Sequence, residues 1–271
     1  MRKLLFLIAF CLIASTIDAK EFSIIDVVGD SLSAGVNPET GSDGNGYLQM
    51  LFGQFDNQQT IDSLWPGIQK FNSAMSGSLA SEWANPAFGP MQSLIGNQPD
   101  LVIIYIGGND FLFELANNGD FDMAAQDNLR NNLRAIINNL NVNLNNPQLV
   151  MLTYYDLFDG QSANLPAQFA DFRQISQYAL IGNQIIKDVG GESGAVVIDS
   201  IHDQFLHHAY GRDFGDTNAQ EPPYVATPIT NFDIHPNTAG YKTIHSELIF
   251  ALTELKNSVE IKSDVSSWIL Y

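Results

Sequence analysis

The sequence contains almost no cysteine and little positive charge. Its only cysteine, Cys11, lies in an apolar N-terminal stretch, so the rest of the chain cannot form a disulfide and depends on its core for stability. Lysine and arginine together number 12, against 30 aspartate and glutamate residues, which gives a net charge of −18. Such a chain has no basic surface for nucleic-acid phosphates, and anionic lipid headgroups repel it. The composition therefore predicts neither nucleic-acid binding nor stable insertion into a membrane.

The N-terminus has the pattern of a secretory signal peptide. The basic residues Arg2 and Lys3 precede an apolar stretch at 4–17 that is too short to span a bilayer comfortably. A small residue follows at the position where a signal peptide would be cut. We expect residues 1–19 to be removed and the mature protein, residues 20–271, to be secreted or periplasmic.

The mature chain has the pattern of one α/β domain. Hydrophobic residues make up 45% of the sequence and charged residues 15%, as in globular proteins, and neither an internal repeat nor a linker is visible. The run at 101–106 is apolar throughout, which indicates a strand buried on both faces of a parallel sheet. Other apolar runs predict strands at 24–28, 68–75, 148–153 and 195–198. Helical spacing and turn signals predict helices at 90–95, 122–140, 166–189, 200–208 and 239–255.

A short stretch after the first predicted strand carries a candidate nucleophile. The strand at 24–28 stops at Gly29, and Asp30 and Ser31 follow directly. A serine at the end of a central strand presents its hydroxyl at the edge of an α/β sheet where binding sites lie. If it also begins the next helix, its backbone N–H is free to face an anion. Ser31 is therefore either the nucleophile of an acyl-transfer reaction or a residue that only caps a helix.

Four other positions supply the remaining groups for ester hydrolysis. Gly77 and Asn109 follow two further predicted strands, so they belong at the same sheet edge as Ser31. Asp233 and His235 precede the last predicted helix. Histidine accepts a serine proton near neutral pH, and a neighbouring carboxylate orients the imidazole. The N–H groups of Ser31 and Gly77 and the side-chain amide of Asn109 could stabilise the oxyanion of a tetrahedral intermediate.

These residues lie in four sequence blocks: GDSLSAG at 29–35, NSAMSG at 72–77, GGND at 107–110 and DIHPN at 233–237. In this order the blocks resemble those of the GDSL, or SGNH, hydrolase family. Their residues are similar to those of its bacterial thioesterase/lysophospholipase-like branch. The resemblance spans nearly all of the mature chain. It implies a three-layer, flavodoxin-like α/β fold with a central, mostly parallel five-stranded sheet. It also implies hydrolysis of carboxylic esters or thioesters without a cofactor.

The resemblance implies a role for each candidate residue. Ser31 would be the nucleophile and His235 the base, while Ser31, Gly77 and Asn109 would be the oxyanion donors. Taken singly, each of these residues also fits a plain structural role, such as a turn glycine or a helix cap. The ordered set favours catalysis.

The position of the acid departs from the family pattern. The family usually places its acid three residues before the histidine, but position 232 is phenylalanine and the aspartate is Asp233. We predict that Asp233 completes a Ser-His-Asp triad. The alternative is a Ser31–His235 pair whose histidine donates to a backbone carbonyl or to another carboxylate, such as Asp199.

The sequence leaves the substrate open. The segment FLFEL at 111–115 carries four large apolar side chains and favours an acyl lipid, as in a lipase or lysophospholipase. Because the family also deacetylates sugars, a carbohydrate O-acetylesterase is the first alternative. A non-catalytic binding protein on the same fold is the second, although such a protein has no need of Ser31 together with His235.

One group of histidines invites comparison with metal sites. His202, His207 and His208 lie close in sequence to Asp203, but their spacing fits no zinc-binding pattern. An exposed helix face explains them better. We predict no metal and no cofactor, and a small-molecule ester or lipid as the substrate.

Overall fold

The described part of the chain begins after the predicted signal peptide. In the computed structural model, residues 1–19, and Cys11 with them, lie outside the described residues, so the export prediction stays a prediction. The structure describes residues 21–41, 43–210, 213, 215–225 and 233–268.

A five-stranded sheet forms the centre of the fold. Its strands are β1 (Ile24–Gly29), β2 (Gln69–Lys70), β3 (Leu101–Tyr105), β4 (Gln148–Leu152) and β5 (Val196–Ile198). They lie in the order β2-β1-β3-β4-β5, and every neighbouring pair is parallel. In the central pair, Ile25 lies opposite Leu101 and Gly29 opposite Tyr105. The predicted parallel five-stranded sheet is confirmed.

Helices cover both faces of this sheet. The α-helices are α1 (Ser31–Ala34), α2 (Tyr47–Leu51), α3 (Ala80–Trp83), α4 (Gly89–Asn97), α5 (Gly108–Asn118), α6 (Met123–Asn143), α7 (Ile175–Ser193), α8 (Ile201–Phe205) and α9 (Thr238–Trp268). Helix α6 packs against α3 and α7, whereas α9 packs against α2 and α8. Strand β3 is buried along its whole length, so neither face of the sheet is open to water there. The three-layer α/β prediction is therefore also confirmed.

Several predicted elements differ in length from the observed ones. The last helix, predicted at 239–255, extends over Thr238–Trp268, and the helix predicted at 200–208 is limited to Ile201–Phe205. Strand β2 has two residues, not the eight predicted at 68–75, because the side chains of Asn72 and Ser73 bond to Ser33 O and Asp26. The predicted helix at 166–189 is divided into a 3₁₀ helix at Ala167–Phe172 and the longer α7.

Within the described residues, no helix combines the length and the apolar character needed to cross a bilayer.

Candidate active site

Two predicted site residues, Ser31 and Asn109, lie where the sheet changes direction. The chain goes from β1 outward to β2 and then returns to β3 on the other side of β1. Loops at the carboxyl ends of β1 and β3 therefore diverge and leave a crevice, which is where open α/β sheets bind ligands. Ser31 follows β1 and Asn109 follows β3, and both line one cavity.

Asp30 shapes the turn that carries Ser31. Its side chain caps α1 by accepting from Leu32 N at 2.9 Å, and the helix ends after one turn at Gly35, which adopts a left-handed conformation. Ser31 is therefore the first residue of a helix, where a backbone N–H has no intrahelical acceptor. This N–H is therefore available to a substrate oxygen. Ser31 itself is only 8% exposed, so it lies inside the crevice rather than on the open surface.

Ser31, His235 and Asp233 form a continuous chain of hydrogen bonds. Ser31 Oγ lies 2.8 Å from His235 Nε2, and His235 Nδ1 lies 2.6 Å from Asp233 Oδ1. A carboxylate only accepts, so Nδ1 carries the imidazole proton and Nε2 is left to accept from the serine hydroxyl. This tautomer is the one that a general base for Ser31 requires.

An Asx turn explains how an aspartate two residues before the histidine can reach it. Asp233 Oδ1 accepts from His235 N at 2.9 Å as well as from the ring Nδ1. One oxygen thus fixes both the backbone and the ring of His235. The alternative acid, Asp199, pairs instead with Lys187 at 3.4 Å.

Two tyrosines hold the segment that carries the acid and the base. Tyr210 donates its hydroxyl to Asp233 O at 2.8 Å, and Tyr155 donates to Ile234 O at 2.5 Å. Tyr155 follows β4, and its ring stacks on Phe205 of α8 with centroids 4.3 Å apart. Consecutive carbonyl groups of this segment are therefore anchored to two separate parts of the fold.

Asn109 is oriented by the neighbouring loop. Its Nδ2 donates one hydrogen to Ser78 O at 3.1 Å, which identifies the amide nitrogen and leaves the second hydrogen for another acceptor. The Ser78 segment is itself fixed, because Ser78 Oγ donates to Gly29 O at 3.2 Å and Asp110 accepts from Ala80 N at 2.9 Å. Burial raises the pKa of Asp110 to about 7.

Gly77 lies in the same loop but not on the cavity wall. Its φ of +79° favours glycine, and its neighbours are tied by the bonds Met75 N to Gly29 O and Ser78 N to Met75 O. Within the described residues the Gly77 N–H has no acceptor. The structure thus brings Ser31, Asn109, Asp233 and His235 together, whereas Gly77 is placed only by its loop, whose Ser78 carbonyl accepts from Asn109.

Tyr154 connects the loops that carry Ser31 and Asn109. Its hydroxyl donates to Asp30 Oδ2 at 3.1 Å, and its backbone N–H and C=O both bond to the side chain of Asn183 at 2.7 Å. Its ring lies so close to Gly108 that a Cβ there would be 2.5 Å from the ring. Burial raises the pKa of Asp30 to about 6, although its bonds to Leu32 and Tyr154 partly oppose this.

The cavity beside Ser31 is lined mainly by apolar side chains. It measures about 450 Å³, including the part open to solvent at its mouth. Helix α5 contributes Phe111 and Leu112, the loop after β4 contributes Leu157, and α7 contributes Ile175 and Ala179. Of the segment 111–115, therefore, two side chains line the cavity. Phe113 is instead exposed and Leu115 is buried.

The histidines at 202–208 have separate partners. His202 lies 3.2 Å from Asp203, His207 lies 2.8 Å from Asp216, and His208 bonds to Pro222 O. Among the residues that the structure describes, no group of three or more His, Cys, Asp or Glu side chains is arranged to hold a metal ion.

Comparison with family models assigns the chain. Residues 27–243 match the GDSL-like Lipase/Acylhydrolase family. The chain belongs to this family. Its members include lipases and acylhydrolases, so at the family level the protein is a carboxylic ester hydrolase. No curated protein matched the chain.

Solved structures of other GDSL-like and related esterases have the same fold. An extracellular lipase from Streptomyces rimosus has a TM-score of 0.61 and 20% identity, over 84% of this chain and 99% of that one. The esterase EstA from a Pseudoalteromonas species has a TM-score of 0.54 and 16% identity, over 87% and 99%. The acetylxylan esterase Axe2 from Geobacillus stearothermophilus has a TM-score of 0.54 and 15% identity, over 86% and 95%. At these identities the likeness concerns the fold.

Sequence reasoning missed the residues that hold this GDSL-like site in place. Tyr154 and Tyr155 come just after β4 and directly after the strand predicted at 148–153, so their place at the carboxyl end of a parallel strand was a signal that could have been used. Asn183 and Tyr210 gave no such signal, because their partners are backbone groups far away in the chain.

Proposed function

We propose that the protein hydrolyses carboxylic esters or thioesters of acyl lipids, with Ser31 as nucleophile. The observation that carries this proposal is the hydrogen-bond chain from Ser31 Oγ through His235 to Asp233. A serine, a histidine in the required tautomer and a carboxylate are the three groups that nucleophilic ester hydrolysis needs. A non-catalytic binding protein would not need all three in contact.

The reaction has two acyl-transfer steps. Ser31 Oγ attacks the ester carbonyl carbon while its proton passes to His235 Nε2, and the carbonyl becomes an oxyanion. The intermediate then collapses, His235 protonates the departing alcohol or thiol, and an acyl-Ser31 ester remains. Water, deprotonated by His235, attacks this ester and releases the acid. Asp233 stabilises the imidazolium in both steps.

Donors near Ser31 stabilise the oxyanion. The Ser31 N–H starts a helix, and among the described residues the second Asn109 Nδ2 hydrogen has no acceptor, so both are available without reorganisation. We assign Gly77 N–H as the third donor, which requires the substrate oxygen to lie at the rim of the cavity. A neutral amide suits this role because it donates at every pH.

The cavity supports an acyl lipid more than an acetylated sugar. Its wall is mostly aliphatic and aromatic carbon, which favours an alkyl chain over a hydroxyl-rich ring. The fold is shared with a lipase and with an acetylxylan esterase, so both substrate classes enter the test. We also propose that the protein acts outside the cytoplasm, as the signal-like N-terminus predicts.

The test measures initial rates on p-nitrophenyl acetate, octanoate and palmitate, on a lysophospholipid and on acetylated xylan. We expect Ser31→Ala to abolish turnover and a phosphonate ester to label the wild type at Ser31. Ser33→Ala is the matched control, because Ser33 lies in the same helix and bonds to Tyr47 OH at 2.7 Å. Labelling at another serine, or an active Ser31→Ala, would overturn the assignment. Turnover of acetylated xylan alone would replace the lipid substrate by a sugar ester.

A further inference from the structure

The nucleophile and its base come from two segments that are far apart in the chain. Ser31 lies in α1, which is followed by a loop at residues 35–41, and His235 lies just before α9. The contact between Ser31 and His235 is a single hydrogen bond of 2.8 Å. A general base works only within hydrogen-bond reach of the hydroxyl, so other contacts have to fix the relative position of the two segments.

Asn37 links the loop after α1 to the start of α9. It is 1% exposed, and its Nδ2 donates to Asn45 O at 3.0 Å and to Thr238 Oγ1 at 3.3 Å. Its Oδ1 accepts from Glu39 N at 3.0 Å. The amide therefore closes its own loop and also bonds to the first residue of α9. A carboxylate at this position could not make the two donor bonds.

Glu39 caps α9 from the loop that follows α1. Its Oε2 accepts from Thr238 N at 3.0 Å. Thr238 is the first residue of α9, where an N–H has no intrahelical acceptor. The local cap residue, Asn237, accepts instead from Gly240 N at 2.9 Å. Because a helix N-terminus also attracts negative charge, the Glu39 carboxylate holds the start of α9 against this loop.

Tyr241 connects α9 to the backbone of the nucleophile. Its side chain is fully buried, and its hydroxyl donates to Val36 O at 2.6 Å. Val36 N in turn donates to Ser31 O at 3.0 Å. Two hydrogen bonds thus lead from α9 to the carbonyl of Ser31.

We propose that Asn37, Glu39 and Tyr241 form a clamp between α1 and α9 that sets the distance from Ser31 Oγ to His235 Nε2. The proposal rests on the proposed function, since this distance matters only if His235 is the base for Ser31. The three side chains lie outside the lining of the cavity beside Ser31, so they are positioning residues and not substrate contacts. Tyr155 and Tyr210 hold the segment of the base to other parts of the fold, whereas the clamp holds it to the nucleophile.

The first measurement is the kinetics of clamp variants on p-nitrophenyl butyrate at pH 7.5. Tyr241→Phe should lower kcat about 10- to 100-fold, because a displacement of about 1 Å can cost about 10²-fold. KM should change by less than about threefold, because no substrate contact is lost. Glu39→Ala should lower kcat about tenfold, whereas Glu39→Gln keeps an acceptor for Thr238 N and should retain at least about half of the wild-type kcat.

Tyr178→Phe is the matched control. Tyr178 is 3% exposed, and its hydroxyl donates to Asp120 Oδ1 at 2.5 Å, so this variant also loses a hydrogen bond of a buried tyrosine. Tyr178 belongs to α7 and not to the clamp. Its kcat should stay within about twofold of the wild type, as expected for a residue without a positioning role.

A double variant separates positioning from a general loss of stability. A residue that acts through His235 has no effect once the imidazole is absent. Tyr241→Phe should therefore lower the residual esterase rate of His235→Ala by less than about twofold. An equal loss in the wild-type and His235→Ala backgrounds would overturn the proposal.

Hydrogen exchange measured by mass spectrometry tests the clamp without turnover. Tyr241→Phe should speed exchange about tenfold in peptides covering 31–37 and 233–241, because one hydrogen bond contributes about that factor to a local opening equilibrium. Tyr178→Phe should leave both peptides unchanged. Unchanged exchange in Tyr241→Phe, or a wild-type kcat in both Tyr241→Phe and Glu39→Ala, would overturn the proposal.

These outcomes are distinct from a failure of the proposed function. If the wild type cleaves no ester in a Ser31-dependent way, the proposed function fails, whereas hydrogen exchange still decides whether the clamp joins the two segments. If Tyr241→Phe does not fold, Glu39→Ala decides by the same measurements, because the Glu39 side chain is exposed.

Discussion

Substitution of Asp233 tests a carboxylate that lies only two residues before its histidine. Its Oδ1 accepts from both Nδ1 and the backbone N of His235, at 2.6 and 2.9 Å. An asparagine whose carbonyl oxygen takes the same position keeps both acceptors and loses only the negative charge. Alanine loses the charge and the orientation together. The two variants therefore separate the two contributions.

The distances set the expected magnitudes. A carboxylate about 4 Å from an imidazolium stabilises it by about 4 kcal/mol at an effective dielectric constant of 20. The Asp233 and His235 side chains are 28% and 18% exposed, so water screens part of this interaction. We expect Asp233→Asn to lose about 2–3 kcal/mol of transition-state stabilisation, which lowers kcat about 30- to 150-fold. Asp233→Ala should lower kcat about 10³- to 10⁴-fold.

The assay is kcat on one soluble p-nitrophenyl ester at pH 7.5, with circular dichroism to verify folding. Asp199→Asn is the matched control, because it removes the charge of the alternative acid, which pairs with Lys187. Its kcat should stay within about twofold of wild type, as for an exposed ion pair. If Asp233→Asn keeps more than about a tenth of wild-type kcat, or if Asp199→Asn costs as much, Asp233 is not the triad acid.

Four further predictions concern neighbouring features. Asn109→Ala should lower kcat about 10²–10³-fold with little change in KM, because an oxyanion donor acts in the transition state. Tyr154→Phe should lower the free energy of unfolding in urea by about 1.5–3 kcal/mol, because it removes a donor to the buried Asp30 carboxylate. The raised pKa of Asp30 means that the folded state holds this proton more tightly, so unfolding free energy falls as pH rises from about 4 to 6. Between pH 5 and 7.5 the wild type should lose about 1–2 kcal/mol more than Asp30→Asn. N-terminal sequencing of protein recovered outside the cytoplasm should begin near Lys20.

Each of these predictions has an outcome that contradicts it. A change confined to KM would make Asn109 a binding residue only. Unfolding curves of Tyr154→Phe that match the wild type would mean that the hydroxyl bond contributes nothing net. Equal pH slopes for the wild type and Asp30→Asn would show that Asp30 is not the group that titrates. Recovery of exported protein that starts at Met1 would refute cleavage.

The fold was largely predictable because its central strands are buried on both faces. The uninterrupted apolar run of β3 is short, rich in β-branched residues and lies between Pro99 and Gly107, which favours a strand covered on both sides of a parallel sheet over a buried helix. Strand β2 was predicted too long. At Asn72 and Ser73, hydrogen bonds from the side chains take the place of backbone hydrogen bonds to the neighbouring strand. Such local competition between side chain and backbone is invisible in an apolar pattern.

The candidate site was predictable in its reacting groups but not in its supports. Ser31 and Asn109 stand at strand ends, where chemistry-bearing side chains are recognisable in a sequence. Their supports depend on contacts between residues far apart, such as Tyr154 with Asp30, 124 positions away. Every residue has a backbone carbonyl, so the sequence does not show that the carbonyl of Asp233 is the one that accepts from Tyr210.

The contact between Ser31 and His235 joins residues 204 positions apart. The nucleophile is synthesised near the start of the chain, whereas its base arrives just before α9, which must dock against α2 and α8. A nascent chain therefore contains a serine without a base until the segment before α9 is in place. On the proposed mechanism, hydrolysis begins with that docking event, and a chain divided before residue 233 would recover activity only when its two fragments reassociate.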